Sequence, residues 1–229
     1  MSRSAGAQQE GAAVGALSPR LRVVLGAVGL GTGAALVVHI LTKVSLALAA
    51  LVLVVGVVTA FVLVVRRLDE RRRADVLHRV RVGAVVGLLA TVAYDASRYG
   101  FVALLQLSFK PFHAFELFGQ AVLGQDAAAP AAFAVGTLYH VANGVGFGIA
   151  FAVVVRHPTV WKGIAWAMVL EVSMIALYPS WMQLQAIGEL AEVSVVGHVV
   201  YGTVLGALTR RWLSVTDSAA VAAGTELRS

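Results

Sequence analysis

Six side chains able to do chemistry stand inside long apolar runs: Asp95, Arg98, His140, Asn143, Glu171 and His198. Asp95 and Arg98 are three positions apart, which on a helix puts them on one face within ion-pairing reach. Going back from Glu171, the first charge is Lys162, nine residues away. His140 and His198 each open the pattern H-V-x-x-G-x-x-x-G, over 140–148 and 198–206, and Asn143 follows His140 by less than one turn. Tyr94, Tyr139, Tyr178 and Tyr201 add hydroxyls in the same stretches.

Protonatable groups along a path are what pumps and coupled transporters use, so these residues suit binding or moving a small solute or a proton. Glu171 or Asp95 can instead act as the general acid of an intramembrane enzyme on a lipid or isoprenoid-like substrate. His140, His198 and Glu171 form a ligand set without thiolates, suited to zinc or iron. In a non-catalytic subunit the two histidines could hold a haem. No residue pattern demands a cofactor.

Several activities drop out by motif. An intramembrane serine protease needs a GxSG, and none occurs. HExxH, the P-loop and the dinucleotide fingerprint are missing too. No lysine lies deep enough in an apolar run for a retinal Schiff base, and no two histidines have the HxxH or HxxxH spacing of membrane iron oxygenases. The chain has no cysteine, which removes disulfides, thiolate metal sites and cysteine nucleophiles.

Composition names the medium. Of the 229 residues, 59% are hydrophobic and only 13% charged, with a mean hydropathy of +0.84. Soluble domains carry about 25% charged residues, so such a surface could not be wetted. The expected class is an all-α integral membrane protein, a bundle of six transmembrane helices over about 22–42, 46–65, 82–107, 132–155, 160–178 and 190–212. Each is near the ~20 residues that cross ~30 Å of hydrocarbon. Residues 20–212 would form one domain between disordered cytoplasmic tails, 1–19 and 213–229. The start of the chain lacks the apolar core of a signal peptide, so Met1 is expected to stay. By rise per residue, Asp95 lies about 21 Å beyond Arg81 and Glu171 about 14 Å beyond Lys162.

A net charge of +6 does not mean nucleic acid here, because no base-reading or stacking groups accompany the basic residues. The charges flank apolar runs instead. With the N-terminus inside, 15 of the 18 Lys and Arg fall on the inner side, leaving Lys43 and Lys110 outside and Arg98 within a span. That asymmetry orients the protein in the cell membrane with both termini cytoplasmic. Seven of these arginines lie in the inner loop 66–81, which is suited to anionic lipid.

The outer connection 108–131 spaces Phe109, Phe112, Phe115 and Phe118 three apart, with Lys110, His113 and Glu116 on another side. This predicts a short helix, either interfacial or re-entrant, with His113 and Glu116 as a polar lid over an outward-opening pocket. The paired His–Gly patterns, 58 residues apart, suggest a parallel repeat of helices 3–4 with 5–6. Its weak first-helix match sets Arg81-Val82-Gly83 against Lys162-Gly163.

Topology is open to a direct test, since introduced cysteines would be the chain's only ones. An impermeant thiol reagent on intact cells is expected to label Ser45→Cys and Ser108→Cys but not Ser214→Cys. Labelling of the third without the second would reverse the orientation.

Overall fold

The structure, a computed structural model, describes residues 17–108, 110–182 and 187–226, and the side chains of these apart from 178–190 and 215–226. The described residues contain helices and no strand. Six helical segments are long and apolar enough to cross a membrane. That is the architecture of a multi-pass membrane protein.

Helix α1, Pro19–Ala27, starts where the Ser18 side chain accepts from the Leu21 N–H and Pro19 fills the first turn, where its missing N–H costs nothing. One 3-10 turn, Val28–Leu30, joins it to α2, Gly31–Thr42. Lys43, in the left-handed region at φ 63°, closes α2, and Ser45 caps the start of α3, Leu46–Arg66. Helix α4 spans Glu70–Leu105 and is capped by Asp69, whose side chain accepts from the Arg72 N–H. Then come α5, His113–Leu123, α6, Ala129–Val154, α7, Val160–Met182, and α8, Ile187–Glu226.

Three boundaries differ from those read in the sequence. The arginine stretch 66–81 is mostly not a loop: from Glu70 onward it is the first three turns of α4. With 36 residues, α4 is about 54 Å long, well beyond ~30 Å of hydrocarbon, so charges on its first turns need not enter the apolar layer. Pro179 does not end α7, whose backbone stays helical to Met182. Likewise α8 passes Trp212 and runs on to Glu226, where a disordered tail was expected. Most of the expected tail 1–19 lies outside the described residues, as does Phe109.

Glycines set the helix crossings. A side chain at Gly87 would meet the Gly144 carbonyl oxygen at 2.7 Å and the Gly148 Cα at 3.1 Å, so α4 and α6 touch backbone to backbone. Gly163 of α7 sits in the same way between Gly202 and Gly206 of α8. In its contacts Gly163 resembles Gly87, one helical turn on from the Gly83 set against it in the sequence. Gly29 packs on Gly146 and Ala150 of α6, which brings in the N-terminal helices. Helix α4 contacts both α6 and α8, and α8 contacts α7.

The short helix α5 exists as expected, and its phenylalanine face packs on protein. Phe115 and Phe118 are buried with Leu36, Ile40, Leu46 and Tyr139. Gly119 meets the Ala132 backbone and Gly136 meets the Phe115 backbone, so α5 and α6 form an antiparallel hairpin.

A methyl group has no room at Gly87 and ample room at Gly56, which has nothing nearby. Gly87→Ala is expected to destabilise the detergent-solubilised protein by about 1–3 kcal/mol, and Gly56→Ala not at all, by thermal unfolding.

Candidate functional site

The crossings align two polar residues in each helix pair. Two turns from Gly87, away from the arginine-rich end, is Asp95, and one turn from Gly144 in the same direction is His140; the His140 Nε2 lies 3.1 Å from Asp95 Oδ2. Two turns from Gly163, again away from that end, is Glu171, and one turn from Gly202 is His198; the His198 Nδ1 lies 2.8 Å from Glu171 Oε2. Each pair of helices thus carries one carboxylate and one imidazole in contact. The steps from glycine to acid and from glycine to histidine are the same in both.

The Glu171 pair is the more enclosed. Glu171 is 1% exposed and Ser194 is fully buried. Ser194 Oγ donates to Glu171 Oε2 at 2.7 Å, while His198 Nδ1 also lies 3.0 Å from the Ser194 carbonyl. With acceptor oxygens on that side, Nδ1 carries a proton and Nε2 is the remaining nitrogen of the ring. In His140 the roles are exchanged, since Nε2 faces Asp95. Glu171 Oε1 is buried without a hydrogen-bond partner among the described residues.

Asp95 is held less tightly by Arg98 than sequence spacing implied. Arg98 is 4.0 Å from Asp95 Oδ1, and its guanidinium carbon lies 4.9 Å over the Tyr94 ring. Tyr94 packs against both imidazoles, with ring centroids 5.8 Å from His140 and 5.0 Å from His198.

These rings border a cavity of about 80 Å³, enough for more than one water molecule. His140, His198, Asn143, Tyr94, Thr91 and Tyr201 supply polar atoms to its wall, and Phe118, Phe147, Leu170 and Met174 the apolar part. Asn143 Oδ1 is buried in this wall with no hydrogen-bond partner among the described residues. Asp95, Arg98 and Glu171 do not line the cavity: Asp95 and Glu171 stand behind the histidines as their partners.

The expected lid is differently composed. Phe118 faces the cavity and the Phe115 ring lies 4.7 Å from that of His140. His113 and Glu116 instead face each other at 4.0 Å on a more exposed side of α5. Among the described residues no three of His, Cys, Asp or Glu gather as a metal site would need, and His140, His198 and Glu171 are divided between the two pairs. Tyr94 packs against both imidazoles, and one nitrogen of each is already within hydrogen-bond distance of a carboxylate. Tyr178 falls among the side chains outside the description.

Sequence reasoning missed Ser194. Its signal was there, one helical turn before His198 and so on the same face. The match of Asp95 to Glu171 was also missed, because it depends on the register of Gly87 with Gly163.

Comparison with known proteins finds no matching protein-family model, no matching curated protein and no matching solved structure. The functional reading therefore rests on this geometry alone.

Removing one member of a buried ionisable pair strands the other, at a cost of about 3–5 kcal/mol. Glu171→Leu is expected to show that loss in thermal unfolding, and the double variant Glu171→Leu/His198→Leu to recover most of it. A single variant as stable as the parent would mean that the pair carries no structural weight.

Proposed function

We propose that this protein binds a small solute in the cavity between α4, α6, α7 and α8 and translocates it, or a proton, across the cell membrane. One observation carries the reading: two imidazoles on different helices line one cavity, and each is backed by a carboxylate from the neighbouring helix. A carboxylate behind an imidazole orients the ring and sets an opposite charge beside it. The cavity-facing side can then take up and release a proton without leaving an unpaired charge in the apolar layer. Asn143 and Tyr94 supply hydrogen-bonding groups for a polar solute, and the Phe118 side of the cavity excludes bulk water.

In this reading α4/α6 and α7/α8 are a parallel repeat, with the acids 76 residues apart and the histidines 58 apart. Helix α5, set between the two helices of the first repeat, is a re-entrant segment closing the outer mouth. It is packed on α6 with its phenylalanines inward, which suits burial in protein better than lying along a lipid surface. The charge asymmetry supports a cytoplasmic side for both termini and the start of α4 in this reading.

The test is reconstitution into sealed vesicles with a trapped pH-sensitive dye. An imposed pH gradient is expected to decay faster than in empty vesicles. Glu171→Gln keeps size and hydrogen bonding but cannot titrate, so decay should return to the empty-vesicle rate. His113→Ala should leave it unchanged. Unaltered flux through Glu171→Gln would overturn the proton role of this pair.

A further inference from the structure

At the arginine-rich end of the bundle, far along α4 from the cavity, Arg22 of α1 is only 7% exposed. Its Nε makes one long bond, 3.4 Å, to the Leu17 carbonyl. Its Nη1 is buried and has no hydrogen-bond partner among the described residues. The charges that act on it are Arg79 and Asp75 of α4 and Arg156, just past the end of α6. The single carboxylate of this group is already engaged, since both Asp75 oxygens accept from Arg79 Nε at 3.0 and 3.1 Å. Arg79 also donates to the Ala152 carbonyl at 3.1 Å in the last turn of α6.

Arg22 thus feels two other guanidinium groups and one acid, and that acid is already bound to Arg79. A guanidinium withdrawn from water without an acceptor is costly, and the deficit here is negative charge. The planar fork of arginine matches the oxygens of phosphate two at a time. Arg22 lies in the first turn of an apolar span, the level at which lipid headgroups meet a membrane protein.

We propose that Arg22, Arg79 and Arg156 form a phosphate-binding site that holds the phosphodiester headgroup of an anionic phospholipid. The site does not depend on the cavity or on what the cavity carries. It differs from the diffuse attraction of exposed arginines to a charged surface, because its central donor is buried. Such a site would pin α1 against α4 and α6 and set the depth of the arginine-rich turns.

The full-length protein in a neutral detergent would be titrated with phosphatidylglycerol, phosphatidylcholine or inorganic phosphate, and its melting temperature followed. Phosphatidylglycerol is expected to raise it saturably and phosphatidylcholine, whose choline offsets the phosphate charge, much less. Arg22→Gln should weaken the apparent affinity for phosphatidylglycerol about tenfold, roughly one charge-assisted hydrogen bond. Arg71→Gln, an exposed arginine of the same helix as Arg79, should leave it unchanged. If Arg22→Gln does not fold, the exposed Arg156→Gln serves instead and should weaken binding in the same direction. An equal rise with inorganic phosphate would keep the site but make a free anion its ligand. No rise with either ligand, or full affinity in both Arg22→Gln and Arg156→Gln, would overturn the proposal.

Discussion

Backbone contact between helices at glycine is the constraint on which the rest of this structure depends. In lipid there is no hydrophobic gain from bringing two apolar helices together, so close approach through small residues must supply the attraction. Gly83 and Gly87 against Gly144 and Gly148, and Gly163 against Gly202 and Gly206, bring the axes near enough for short side chains to meet across them. Asp95 reaches His140, and Glu171 reaches His198, only because of that proximity. A larger residue at any crossing would separate the pairs and leave ionisable groups without partners in a medium that penalises them.

The polar interior follows from the same contacts. Each imidazole has one nitrogen committed to a carboxylate, and Tyr94 of α4 packs against both rings. Ser194 and Glu171 are bonded to each other behind His198, so the second pair is buried and ordered by three groups. The first is more open: Asp95 meets both His140 and Arg98, and the His140 ring is covered by Phe115. Two pairs of similar composition thus stand in unlike surroundings beside one cavity.

Toward the other end the helices are held by arginine. Arg79 ties α4 to the last turn of α6, and Arg73 donates to the carbonyls of Arg66 and Leu68 across the turn from α3. These contacts make the basic stretch part of the folded body. The proposed phosphate site would complete this end with the negative charge that the described residues do not supply.

Much of the architecture could be read from the chain alone. Apolar run length, sparse charge and the placement of Lys and Arg defined six spans, because the bilayer leaves the backbone few alternatives to helix. The same medium made Asp95, Arg98, His140, Asn143, Glu171 and His198 stand out, since each is costly where it lies. Helix ends were less legible: charged turns on α4 and the segment after Trp212 are helical although nothing in their hydropathy required it. Tertiary structure alone decided which residues are partners. Sequence spacing tied Asp95 to Arg98, because neighbours on one helix are all that spacing can show. The nearer partner, His140, is 45 residues away on another helix. That pairing, and the match of Asp95 with Glu171, depend on the register in which glycines of different helices interlock, and register is a property of two surfaces in contact.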